Sequence, residues 1–176
     1  MIVFLTGVIL LNKARLLRNR KDKNYFMYSK QAASLLTQQF WTAFGQYMAL
    51  VLSDQGEKIN WVNYKTGIKF IKFPMQSVSN TASIAIEFSH PDVVVLQQQF
   101  DLLATFKNQF SEECGNNWQW QKMKPDKQEK MIGSITASIE NVSIMNKSDW
   151  PEIISFFKSH LISLDKFWSN YKFAFE

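Results

Sequence analysis

Thr81-Ala82-Ser83-Ile84-Ala85-Ile86-Glu87-Phe88-Ser89-His90-Pro91 decides the fold of this chain. Ala82, Ile84, Ile86 and Phe88 alternate with Thr81, Ser83, Ala85, Glu87 and Ser89. Successive side chains of a strand point to opposite faces, so this segment predicts a strand with one apolar face and one small or polar face. Cover on one side only is the habit of antiparallel sheets, because a strand buried on both faces reads as a continuous apolar run. Ser89-His90-Pro91 then stops the strand and starts a helix, with Ser89 or His90 as cap and Pro91 in the first turn.

Upstream of this segment, Ser77 to Thr81 reads as a turn and Ile68 to Met75 as a strand. Lys58 to Lys65, carrying Ile59, Trp61, Val62 and Tyr64, is rich in β-formers and predicts another strand, paired as a hairpin through Thr66-Gly67. Ser53-Asp54-Gln55-Gly56 is a polar turn. It closes a helix capped by Ser29, whose apolar positions are Ala33, Leu36, Phe40, Ala43 or Phe44, and Tyr47.

Downstream, Leu96, Phe100, Leu103, Phe106 and Phe110 form the stripe of a helix that ends before Gly115-Asn116-Asn117. Trp118 to Met123 reads as a short strand, Lys124 to Lys130 as a charged loop, and Met131 to Ser143 as a further strand. The last helix carries the strongest pattern. Asp149 and Glu152 have the spacing of a capping box. Trp150, Ile154, Phe157, Leu161, Leu164, Trp168 and Tyr171 then recur at steps of four and three. Such a seam packs on a sheet; Phe156, Phe167 and Phe173 make it wider than a coiled-coil seam. The order α-βββ-α-ββ-α predicts a single layered α+β domain, with an antiparallel sheet of about five strands and helices packed on one face.

Charge divides the chain. Its 176 residues carry a net charge of +5, and all of it lies in residues 1–26, where Lys13, Arg15, Arg18, Arg20, Lys21 and Lys23 face only Asp22. Residues 27–176 hold 14 Lys/Arg against 14 Asp/Glu. The basic balance therefore describes an extension and gives the domain no electrostatic footprint for nucleic acid. In the extension an apolar run, Ile2 to Leu11, precedes the basic one. A secretory signal has the reverse order, and a bilayer span needs about 20 apolar residues. Three readings stand for residues 1–26: a start-site artefact with Met27 as the first residue, a helix packed on the body, and a membrane-surface anchor. The anchor is the least supported of them.

Several segments taken together resemble one bacterial family. They are Phe40-Trp41-Thr42-Ala43-Phe44, Gly56-Glu57-Lys58-Ile59-Asn60-Trp61, Tyr64-Lys65-Thr66-Gly67-Ile68, Ile84 through Pro91, and Asp149-Trp150-Pro151. The chain from Tyr28 to Glu176 is similar to the family catalogued as domain of unknown function 4268. Longer members carry a similar domain beside restriction-endonuclease-like regions. The resemblance therefore implies an accessory of bacterial restriction or defence systems, and it carries over no catalytic residue.

That neighbourhood makes a nuclease the first activity to test. Such a site needs an acid and a lysine two residues apart on a strand, beside a second acid that holds metal. No Asp or Glu in the chain has Lys two positions later; Glu87, on the clearest strand, precedes Phe88 and Ser89. Metal ligands are sparse: the two histidines, His90 and His160, are 70 positions apart, and a zinc site gathers three or four ligands. His90 reads as a cap or surface residue and His160 as outward-facing. Cys114 is the one cysteine. It forms no disulfide within the chain, which suits a reducing, cytoplasmic compartment. Glu112 and Glu113 beside it raise rather than lower its pKa, against a catalytic thiolate. No phosphate loop, dinucleotide turn or nucleophile elbow appears, so no cofactor is indicated.

What remains is a candidate binding surface: Trp61, Tyr64, Lys65 and Lys69 on the proposed hairpin, Trp118, Trp120 and Lys122 on the later strand, and Glu87 with His90 between them. The leading expectation is a non-enzymatic interaction module with a protein partner. The alternative is single-stranded nucleic acid, which interleaved aromatics and lysines suit. An enzyme built around Glu87, His90 and Trp61 ranks last. Against nucleic acid, buried aromatics and edge lysines are ordinary features of sheets, and no Arg follows Arg20 to supply a bidentate fork. On a regular strand Lys65 and Lys69 share a face while Lys72, also on this run, takes the other, so these lysines are expected to be scattered.

Overall fold

The strand β3 (Thr81–Phe88) is the second in an antiparallel sheet whose path runs β1 (Ile71–Lys72), β3, β5 (Met131–Glu140), β4 (Gln119–Pro125), with β2 (Met75–Val78) also paired to β3. The computed structural model describes residues 30–126 and 128–176, so the 1–26 extension, Met27 and the Ser29 cap lie outside the described residues. Chain contacts separate residues 1–37 from 38–176. The described part of the first unit opens helix α1 (Lys30–Met48), where Thr37 Oγ1 donates to Ala33 O at 2.9 Å. The second unit holds the remainder of α1, β1 (Ile71–Lys72), β2 (Met75–Val78), β3 (Thr81–Phe88), α2 (Val93–Thr105), α3 (Lys107–Cys114), β4 (Gln119–Pro125), β5 (Met131–Glu140) and α4 (Trp150–Tyr171). The fold is α+β with an antiparallel five-stranded sheet, as the sequence implied.

Ala82, Ile84, Ile86 and Phe88 of β3 are fully buried, while Thr81, Ser83, Ala85 and Glu87 are half-buried on the opposite face. The helices cover the first face. Phe100 of α2 meets the Phe88 ring edge-on at 5.8 Å. Gly133 of β5 lies beneath it, where a Cβ would come within 2.8 Å of Phe100 Cδ2. The α4 seam is buried at Phe157, Leu161, Leu164 and Trp168 and half-buried at Trp150, Ile154 and Tyr171. Residues Trp41 and Phe44 of α1 pack rings on Phe157 at 5.7 and 5.9 Å.

Four local expectations are corrected. Lys58 to Lys65 is not a strand; the chain there makes a 3-10 turn, Trp61–Asn63, capped where Asn60 Oδ1 accepts the Asn63 amide at 3.1 Å. Its β-formers anchor a loop instead of pairing in a ladder, because burial outweighs propensity. The cap of α2 is Asp92, whose Oδ1 accepts the Val94 and Val95 amides at 2.8 and 3.4 Å, so Pro91 precedes the helix. The single helix expected over this stripe breaks at Phe106 into α2 and α3. Asp149 stands at the head of α4 but turns its carboxylate to the preceding loop, accepting from Ser143 N at 2.9 Å and Asn146 Nδ2 at 2.8 Å, so no capping box forms.

The strands β1 and β2 share one register. Ile71 pairs with Phe88, Lys72 with Glu87, and Met75 through Val78 with Ile84 through Thr81. They are one edge strand interrupted at Phe73-Pro74, and Ser79-Asn80 forms the tight turn into β3, with Ser79 at φ +56°. Among the described residues no helix is long and apolar enough to cross a membrane.

Candidate functional site

The loop between α1 and β1 is held by side chains from far along the chain. Trp61 is buried and its Nε1 donates to Val51 O at 2.8 Å. Tyr64 donates to Asp165 Oδ1 of α4 at 2.7 Å, and the Asp54 amide donates to Asp165 Oδ2 at 2.6 Å. Trp168 Nε1 donates to Thr66 O at 2.7 Å, and Thr66 Oγ1 donates to Ile71 O at 2.7 Å. A buried carboxylate is tolerated when hydrogen bonds satisfy it; Asp165 has only 4% of its surface exposed. Burial, and then the Asp165 hydrogen bond, hold the Tyr64 hydroxyl far above its ordinary pKa.

Gly67 at φ +82° and Phe70 at φ +66° turn this loop back on itself. Glycine takes that conformation freely, whereas a bulky residue there carries strain of about 1–3 kcal/mol. Phe70 is held by its surroundings. Its carbonyl accepts the Ser89 amide at 2.8 Å, and its ring meets His90 edge-on at 4.8 Å.

The reversal builds a cleft of about 800 Å³ lined by Trp41, Val62, Tyr64, Phe70 and Met75 together with Lys65, Lys69 and Lys72. Among the described residues no Asp or Glu lines it. None of its three lysines forms an ion pair among the described residues. All three lysines contribute to its lining, Lys65 and Lys69 from the loop and Lys72 from β1, where it pairs with Glu87.

The other candidates lie elsewhere. Glu87 stands on the face of the sheet opposite the described helices, across from Lys72 on one side and Ser134 on the other. It lines a separate polar cleft of about 560 Å³ with Ser83, Ser134, Thr136 and Lys124. His90 Nδ1 accepts the Asp92 amide at 3.1 Å. Trp118 is buried and donates to Cys114 O at 3.0 Å. Trp120 is half-buried, with Lys107 Nζ 5.4 Å from its ring centre. Lys122 is paired with Asp101 at 2.7 Å. Tyr64, Lys65 and Lys69 are therefore brought together, while Trp120 and Lys122 belong to β4 at the far edge of the sheet.

His160 is half-buried rather than outward-facing. It packs on Trp118 and Phe156 at 5.4 and 4.3 Å and donates from Nδ1 to Phe156 O at 2.8 Å. Burial lowers its pKa. Burial, with Glu113 second, pushes the Cys114 thiol up to about 12. Among the described residues no three His, Cys, Asp or Glu side chains are grouped to hold a metal ion.

The candidate surface read from the sequence omits Trp41, Phe70, Lys72 and Met75 of the cleft. Phe70 and Lys72 are visible in the Lys/aromatic run, but nothing in the sequence marks a left-handed phenylalanine. No curated protein and no solved structure matches the chain. One family model does, over residues 36–172, most of the chain's length. The chain belongs to that family, described as Domain of unknown function (DUF4268).

Proposed function

We propose that this protein is a non-enzymatic binding module that holds an acidic segment of a protein partner in the cleft of Lys65, Lys69 and Lys72. One observation carries the reading: among the described residues, three lysines without an ion pair line one concavity to which no Asp or Glu contributes. A cleft lined by one sign of charge focuses the field and attracts the opposite sign, even on a domain whose total charge is balanced.

The engagement of the rings favours a peptide over nucleic acid. Tyr64 stacks on Phe73 at 5.1 Å, and Phe70 has Lys69 Nζ at 4.8 Å from its ring centre. Stacking of bases needs free aromatic faces. Single-stranded nucleic acid is the second reading, supported by the meeting of Tyr64 with Lys65 and Lys69. The setting we attach is the bacterial cytoplasm, as an accessory of restriction or defence systems. The family's neighbourhood supports it by association, and a single unpaired cysteine suits a reducing compartment.

The test is fluorescence anisotropy of the full chain with two labelled probes, an acidic peptide of alternating glutamate and valine and a single-stranded DNA, each at low and near-physiological salt. Binding of the peptide that weakens with salt supports the proposal. Binding of DNA alone transfers the cleft to the second reading. Binding of neither probe overturns both.

A further inference from the structure

We infer that the acidic segment binds by strand addition to the outer edge of β1–β2; this rests on the reading of the cleft given above. The register determines which backbone groups face outward. Ala85 N donates to Pro74 O at 3.1 Å and Ser89 N to Phe70 O at 2.8 Å. In an antiparallel pair, hydrogen-bonded and non-hydrogen-bonded positions alternate. Residues 70, 72, 74 and 76 therefore turn their backbone groups toward β3, and Ile71, Phe73, Met75 and Ser77 turn theirs away.

Ile71 is already satisfied, since its amide donates to Ile68 O at 3.3 Å and its carbonyl accepts Thr66 Oγ1 at 2.7 Å. The outward amides of Phe73, Met75 and Ser77 face no other strand of the sheet among the described residues; Phe73 is itself buried, and Met75 and Ser77 are half-buried. These amides form a row of donors at every second residue, the pattern that an added strand reads.

Pro74 sharpens the inference. A proline on an edge strand ordinarily turns its missing N–H to solvent and blunts the edge. Here the nitrogen of Pro74 faces β3, because its carbonyl accepts Ala85 N. It interrupts the inner ladder and leaves the outer row of donors whole. The opposite edge of the sheet, β4, is guarded in the usual way, with a register shift between Gln121 and Lys124 and Pro125 at its end.

The chemistry of the occupant follows from what flanks the row. Phe73 and Met75 line the cleft together with Trp41, Val62 and the three lysines. Alternate side chains of an added strand fall on opposite faces. The complementary segment is extended, proline-free, and alternates acidic with apolar residues.

The experiment uses the full chain and the Glu-Val peptide at about eight residues, an ordinary strand length. Two further peptides carry backbone N-methyl groups on alternate residues, one peptide in each phase, with charge unchanged. One phase should weaken binding at least roughly tenfold, the scale of two or three net hydrogen bonds. In parallel, the Phe73, Met75 and Ser77 amides should gain hydrogen-exchange protection when the unmethylated peptide is added. Equal binding of all three peptides without that protection overturns strand addition and leaves the acidic-segment reading standing. No binding of the unmethylated peptide overturns the reading itself. No substitution in the protein is needed, so misfolding cannot mimic either result.

Discussion

Tyr64 donates its phenolic proton to Asp165 at 2.7 Å across 101 positions of sequence, and so fastens the wall of the lysine cleft to the buried face of α4. The second oxygen of the same carboxylate holds the Asp54 amide at 2.6 Å. One buried acid thus organises both ends of the loop that precedes β1.

Replacing Asp165 by alanine leaves the Tyr64 hydroxyl and the Asp54 amide without their acceptor. We expect a loss of about 2–4 kcal/mol, the scale of two hydrogen bonds to a charged group after partial recovery by water. A urea melt measures it. A midpoint equal to that of the parent would show that the loop stands without the carboxylate.

The raised pKa of Tyr64 has a consequence at high pH. The folded state holds the proton well above the ordinary value of 10.0, at which the unfolded chain releases it. The resulting stabilisation is complete below pH 10 and is lost as pH rises beyond it toward the folded value. The parent should therefore lose stability more steeply than Tyr64→Phe above pH 10. Parallel slopes for the two proteins would place the proton elsewhere.

His160 acts on the acid side. Burial lowers its pKa from 6.5, so the unfolded chain takes up a proton before the folded one does. Its contribution is present above pH 6.5 and is lost as pH falls below that value. Denaturant midpoints between pH 7 and 5 should fall less in His160→Asn than in the parent; an identical fall would contradict the burial seen here.

Gly133 and Trp168 test the packing of the helices on the sheet. A Cβ at 133 would lie 2.8 Å from Phe100 Cδ2 and 3.2 Å from Lys122 O, so Gly133→Ala should destabilise by about 1–3 kcal/mol. Trp168 is 1% exposed, and Trp168→Ala should lose about 3–5 kcal/mol. Thermal melts that leave either variant at the parent's midpoint would mean the helix layer is packed differently.

These packing residues were the legible part of the chain. β3 and α4 declare themselves because a single period runs through each, two in Ala82–Phe88 and four-three in Trp150–Tyr171. The segment from Lys58 to Phe70 misleads because its residues have the composition of a strand and the job of a loop. Trp61 is buried and Tyr64 half-buried through contacts to Val51 and Asp165, and local propensity contains neither partner. The cleft was illegible for the same reason. It depends on Phe70 at φ +66°, which no spacing reveals, and on a loop whose lysines line the same concavity as Lys72 of β1.

The most direct test of the account is a charge-matched comparison. Lys65→Glu/Lys69→Glu/Lys72→Glu reverses the cleft, while Lys30→Glu/Lys130→Glu/Lys172→Glu makes the same change in net charge at exposed positions outside it. Both triple variants are titrated with the Glu-Val peptide at low salt, after circular dichroism has shown that each is folded. The account predicts that binding is lost in the first and retained in the second. Equal weakening in both, or full binding in the first, would contradict a site at the cleft.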